Sequence, residues 1–182
     1  MENDALSSFI HNVQQAYGPL TTELVAQAHA QLTQLTAAPE TECWLQRLHA
    51  EAPASQELHR DKTHGFLLLA HTEPLHLYRA PHDHGRGWVI YALQRGELEI
   101  GTYARVQDAD GSVRLVRREA SLLRAGEARV YLPGDIHDTR CVNGPALLFR
   151  FTDRDLKQED QVAHKLTRYT NKAGVWTTGP AS

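Results

Sequence analysis

The chain has 182 residues, 41% hydrophobic and 23% charged, enough for one globular domain with a buried core and short for two. Lysine and arginine together number 19 against 22 acidic residues, a net charge of −3, so no basic surplus points to nucleic acid or to an anionic membrane surface as a partner. The longest apolar runs, at residues 66–70 and 146–149, fall far short of the ~20 residues a membrane span needs, and the Glu2 and Asp4 start lacks the order of a secretory signal, so a cytoplasmic protein is expected.

The first sixty residues read as helix. Leu6, Phe9, Ile10, Val13 and Tyr17 recur at the helical period, with Asp4 as a cap and Gly18-Pro19 as the close. A second stripe runs through Leu24, Ala28, Leu32 and Leu35, and Pro39 is placed to open a third, short helix carrying Trp44, Leu45 and Leu48. Pro53-Ala54-Ser55 reads as a loop. Cys43 and Cys141 are too few for a disulfide framework, and each is expected as a small buried hydrophobe. His11, His29 and His49 share no spacing and read as surface or packing residues.

From Gly65 the period changes. Runs rich in valine, leucine, isoleucine and tyrosine alternate with turn signals at Gly85-Arg86-Gly87, Asp110-Gly111, Ala125-Gly126, Pro133-Gly134 and Asn143-Gly144-Pro145. Strands are predicted over 65–71, 74–80, 88–94, 97–106, 112–118, 128–132, 137–142 and 146–152. So many short strands argue for a barrel or sandwich, because closure or two facing sheets relieve the exposed edges. The expected organisation is one structural domain: helices over 1–60, a β barrel over 61–155, and a charged extension over 156–182 packed on the barrel's outside. Within that extension Val162, Leu166 and Tyr169 give a helical hint.

Histidine is the unusual residue, with 11 copies. In His82-Asp83-His84, positions i and i+2 of an extended strand point to one face about 6 to 7 Å apart, close enough for both imidazoles to tip onto one metal ion. Two ligands hold a metal weakly, and a third candidate, His137, follows the Pro133-Gly134 turn on another strand. Asp83, of opposite parity, is expected to point away and to stabilise the turn. Trp88 is expected to pack under the helices. His64, His71 and His76 flank the pair and read as structural.

With Gly96 after the pair and Gly126 before the third histidine, the sequence resembles the cupin superfamily. The first cupin motif is G(X)5HXH(X)3–4E(X)6G. His82, His84 and Gly96 fall on it, whereas His76 stands at its first glycine and Val89 at its glutamate. Gly126, Pro133, Gly134 and His137 match the second motif, with one extra residue before Pro133 and Cys141 in place of its asparagine. The resemblance covers residues 65–152 and implies a mainly β fold, the cupin double-stranded β-helix or jelly-roll barrel, here behind an N-terminal helical segment.

Within the cupins, Pro81-His82-Asp83-His84, then Trp88 and Gly96-Glu97-Leu98, are similar to the cysteine dioxygenase-like, or thiol dioxygenase, family. That resemblance implies three histidine ligands, ferrous iron with other divalent metals open, and insertion of both atoms of dioxygen into a small thiolate substrate. The family's serine, histidine and tyrosine on a late strand correspond here to Leu148, Arg150 and Thr152, and its crosslinking cysteine corresponds to Val89. The metal ligands therefore carry over, and the family's acid–base set does not.

Three further residues are candidates for the chemistry. Arg150 should face inward by strand alternation and is a candidate clamp for a substrate carboxylate. Arg60, ahead of the first barrel strands, is the rival clamp. Tyr91 should share the inward face of Val89 and is a candidate hydrogen-bond donor beside the metal. Two other functions use the same residues: a three-histidine iron cupin cleaving a carbon–carbon bond of a diketone or enol, and a metal-dependent binding cupin without turnover. A homodimer is open as the assembly.

Overall fold

The computed structural model describes residues 4–178. Three helices come first: α1 (Ala5–Ala16), α2 (Thr22–Leu35) and α3 (Cys43–Glu51). Asp4 caps α1 by accepting from the Ser7 N–H at 2.7 Å, and Thr21 caps α2 by accepting from Leu24 N–H at 3.2 Å. The third helix starts at Cys43 rather than at Pro39, whose carbonyl instead closes a turn with the Glu42 N–H. Cys43, at this exposed helix start, is not the buried hydrophobe expected of it, whereas Cys141 is buried. The helical reading of the first sixty residues also ends early, because β1 (Gln56–Arg60) is a strand on the sheet edge.

The remaining strands are β2 (Leu67–Glu73), β3 (Tyr78–His82), β4 (Val89–Gln107), β5 (Val113–Arg124), β6 (Ala128–Tyr131) and β7 (Ile136–Thr152). Residues 88–94 and 97–106, expected as two strands, form the single bent β4, and 137–142 with 146–152 form the single bent β7. Register breaks at Leu93/Arg95 and Arg95/Glu97 mark the bend in β4, where Gly96 has φ +85°. A Cβ there would lie 2.6 Å from the Asn143 carbonyl and the Ala146 methyl, so only glycine fits the corner.

The bends divide the strands between two antiparallel sheets. In the first, β1 pairs with β2, β2 with residues 146–152 of β7, that segment with residues 89–95 of β4, and β4 with β6. In the second, β3 pairs with residues 137–140 of β7, residues 136–143 of β7 with residues 97–103 of β4, and β4 with β5. Two facing sheets sharing two long, bent strands in this order make the double-stranded β-helix, or jelly roll, anticipated from the sequence.

Alternation then assigns the faces. Phe66, Leu68, Ala70, Trp88, Ile90, Phe149 and Phe151 point outward from the first sheet and are buried under the helices together with Phe9, Leu32 and Leu45. Val89, Tyr91, Leu93, Leu98, Ile100, Cys141 and Leu148 form a separate cluster inside the barrel. Trp88 thus packs under the helices, its ring 5.2 Å from that of Phe151.

The C-terminal segment holds a short helix, α4 (Leu156–Gln161), and a hairpin of β8 (Tyr169–Lys172) and β9 (Val175–Thr178). Tyr169 is therefore a strand residue and not part of a helical stripe. It packs with Tyr103, Leu115 and Ile136 on the outside of the second sheet. Residues 1–3 and 179–182 of the expected terminal segments lie outside the described residues. Among the described residues no helix is long and apolar enough to cross a membrane.

Candidate metal centre

His82 ends β3, His84 follows it, and His137 lies directly across from His82 in the β3–β7 pairing. One ring nitrogen from each lies within 4.8 Å of the others. The ring centroids are 5.2 Å apart for His82 and His84, 4.9 Å for His82 and His137, and 5.0 Å for His84 and His137. The sequence spacing and the turn before His137 therefore converge three imidazoles on one point inside the barrel.

Local packing fixes each ring. His82 is the partly exposed member, and its Nδ1 donates to the Ala80 carbonyl at 2.9 Å, which leaves Nε2 for the centre. His84 and His137 are buried, and His137 stacks on Tyr131 with centroids 3.9 Å apart. Burial is the largest influence on all three and lowers each pKa below the ordinary imidazole value, that of His84 to about 2. At His82 the bond to the Ala80 carbonyl opposes the shift and Arg168, Arg150 and Arg79 reinforce it, at His84 the reinforcement comes from His82 and Arg150, and at His137 from His82 and His84. All three are thus neutral at physiological pH and offer lone pairs, as an N-donor site for a divalent transition metal requires. The donor set fits a single metal ion.

Tyr91 projects from β4 into this cluster. Its hydroxyl lies 3.2 Å from Nε2 of His84 and 3.4 Å from Nε2 of His137. Burial raises its pKa, with Arg150 opposing that shift, so the phenol keeps its proton. Val89, at the position of the cupin glutamate, is buried in the barrel's apolar cluster, so no carboxylate comes from there. Asp83 points away, as its parity requires, and its Oδ1 accepts from the N–H groups of Gly85 at 3.0 Å and Thr167 at 2.8 Å. It thereby ties the C-terminal segment to the rim of the site.

The cluster opens into a cavity of about 960 Å³ lined by His82, His84, Tyr91, Leu148, Arg150 and Thr152 among others. Arg150 sits between Tyr91 on β4 and Leu69 on β2. Its Nε is buried without a hydrogen-bond partner among the described residues. Arg60 has a different environment. It lies at the cavity mouth, exposed, with its guanidinium held by Glu57 at 2.7 Å and Asp155 at 2.8 Å. A clamp whose donors are already occupied by two carboxylates has little left for a substrate, so the rival role expected for Arg60 has no support in its contacts.

Two inward residues of β2 escaped the sequence reading. His71, expected to be structural, lines the cavity with a buried, unpartnered Nε2, and Glu73 is buried there and paired with Arg79 at 2.9 Å. The alternation through Leu67, Leu69, His71 and Glu73 was the available signal, hidden because the apolar run around them reads as wholly buried strand. His76 is exposed and away from the cavity lining, and the His64 ring packs at a tilt against Tyr17 with centroids 4.9 Å apart.

No family model and no curated protein matches the chain. Among solved structures it is similar to KdgF from Halomonas sp., at 16% identity and TM-score 0.42 over 54% of this chain and 74% of that one. It is also similar to the Schizosaccharomyces pombe Cnp3 cupin domain, at 10% identity and TM-score 0.44 over 59% and 69%. An oxalate oxidase bound to the substrate analogue glycolate matches at 20% identity and TM-score 0.38 over 54% and 50%. Likeness this distant has no bearing on chemistry, and the barrel assignment stands on the strand pairing itself.

Proposed function

We propose that the chain is a mononuclear non-haem iron dioxygenase of the thiol dioxygenase-like cupin type, oxidising a small carboxylate-bearing substrate, a thiol foremost, with dioxygen. The observation that carries this reading is Arg150, a cavity-lining guanidinium with an unpartnered Nε, set beside three neutral imidazoles. Leaving the buried Nε of Arg150 unpaired is costly, and a bound carboxylate would satisfy it in fork-to-fork geometry together with a second guanidinium N–H. Three neutral ligands also leave the charge of a divalent ion to be balanced by an anionic substrate. Ferrous iron held by His82, His84 and His137 would supply the redox chemistry that joins substrate to dioxygen.

The chain's own residues orient and protect that chemistry. Arg150 fixes the carboxylate and so the direction from which the rest of the substrate meets the three histidines. Tyr91 holds a proton at Oη between His84 and His137, and with their nitrogens committed to metal its hydroxyl is a donor for a substrate atom beside them. Leu67, Leu69 and Leu148 give the cavity an apolar wall that strengthens both interactions. The inward positions of the thiol dioxygenase serine, histidine and tyrosine hold Leu148, Arg150 and Thr152, so proton handling falls to Tyr91 here.

The test is oxygen consumption by iron-loaded protein offered small mercapto-carboxylates, and in parallel diketones and enols. Uptake with the thiol acids that is abolished by zinc substitution supports the proposal, because zinc has no redox chemistry. Uptake with diketones alone moves the protein to carbon–carbon cleavage, and ligand binding without uptake makes it a metal-dependent binding cupin.

A further inference from the structure

His71 lies on β2, on the inner face of the first sheet, and is 8% exposed. Its Nδ1 is 3.2 Å from the carbonyl oxygen of Ala54, in the loop between α3 and β1. A carbonyl oxygen only accepts, so in the neutral ring the proton resides on Nδ1 and Nε2 carries the lone pair. Burial, reinforced by the charge of Arg150, lowers the His71 pKa to about 3, so the ring is neutral at pH 7. Nε2 is buried, has no partner among the described residues, and belongs to a residue lining the same cavity as Arg150.

The two residues are diagonal neighbours. Leu69 faces Arg150 and His71 faces Leu148 in the β2–β7 pairing, which sets the backbone positions of Arg150 and His71 about 7–8 Å apart and puts a cationic donor and a neutral acceptor on one wall. Such a wall is complementary to a molecule carrying a carboxylate and, a few bonds away, a neutral hydrogen-bond donor. An ammonium donor is disfavoured beside Arg150, whose positive charge reaches the His71 ring and which has no carboxylate partner among the described residues, whereas Arg79 is neutralised by Glu73. A hydroxyl meets the requirement.

We infer that Nε2 of His71 accepts a hydrogen bond from a neutral hydroxyl of the substrate, so that among otherwise alike carboxylates, thiol acids included, the cavity prefers the one that also carries a hydroxyl. This rests on the reading of Arg150 as the carboxylate clamp. His71 acts by selecting and orienting the substrate, and it does not ligate the metal.

The experiment compares binding of lactate and propanoate to zinc-loaded wild type, His71→Phe and Arg150→Met by calorimetry. Zinc excludes turnover, and any contact of the hydroxyl with zinc is common to wild type and His71→Phe. The expected result is a preference for lactate that falls about tenfold in His71→Phe, the worth of one neutral hydrogen bond, while propanoate binding is retained. Arg150→Met should weaken both acids alike. An unchanged lactate preference in His71→Phe overturns the inference. Equal binding of both acids to wild type and Arg150→Met overturns the clamp instead. Should His71→Phe fold poorly, nitrogen-15 shifts of the wild-type imidazole decide: protonated Nδ1 with a bare Nε2 that responds to lactate and not to propanoate is expected, and protonated Nε2 contradicts it.

Discussion

Arg150 shows how one residue can be read from its position before its partner is known. Strand parity turns it inward, and the structure puts it in the cavity with an unpartnered Nε rather than in an ion pair of the kind that holds Arg60. Two charge-assisted hydrogen bonds to a carboxylate are worth about 1.5–3 kcal/mol each. Arg150→Met keeps much of the apolar stem and is expected to raise KM by at least about tenfold per bond lost, with metal content unchanged. Arg150→Lys should recover only part of the loss, since an ammonium keeps the charge and not the planar fork. Steady-state kinetics with parallel metal analysis check both variants; unaltered KM in Arg150→Met would remove the clamp. His71 was legible only after folding. Its sequence neighbours hide the alternation, and the orphaned Nε2 depends on Ala54, which lies 17 residues away and meets it only in three dimensions.

At the scale of elements, the helices, the strands of the barrel and the HxH pair were readable because each depends on local periodicity or spacing. The continuity of β4 and β7 was not. Turn-like residues at Gln94-Arg95-Gly96 and Asn143-Gly144-Pro145 mark bends inside strands as readily as the ends of them, and only pairing across the barrel distinguishes the two. β1 was missed for a related reason, since Gln56–Arg60 is polar and acquires strand structure by adding to the edge of β2. The turn ahead of β3 carries a cost that the cupin pattern explains. His76 occupies the motif's first glycine and has φ +67°, a left-handed conformation that disfavours side chains. Its side chain is exposed and has no role at the centre. His76→Gly is therefore expected to leave metal binding intact and to change stability by about 0 to +1 kcal/mol, the relief of strain exceeding the added freedom of the unfolded chain. Urea denaturation measures it, and a loss of more than about 1 kcal/mol would show that the imidazole makes contacts that matter.

The whole molecule places one rigid, apolar-walled centre between two sheets and covers the outside of each, one with helices and the other with the C-terminal hairpin. That design buries His71, His84 and His137 and packs the partly exposed His82 against them, with a consequence for stability. Each of the four has a folded-state pKa below the ordinary 6.5, so between the folded value and 6.5 the unfolded chain binds more protons than the native one. Stability of the metal-free protein is therefore full above about pH 6.5 and falls as the pH drops below it, by at most about 1.4 kcal/mol per pH unit for each histidine. The ion-paired carboxylates, whose pKa values are lowered, add their losses only in more acidic solution. Denaturant midpoints at pH 7.5, 6.0 and 5.0 should decline in that order, and equal midpoints would mean that the imidazoles are solvated in the native state. The centre itself is tested most directly by iron stoichiometry after anaerobic loading and desalting of wild type and His137→Ala, with circular dichroism to establish that both are folded. One iron per wild-type chain and a trace in His137→Ala is the expected result. One iron per chain in a folded His137→Ala would contradict the three-histidine centre.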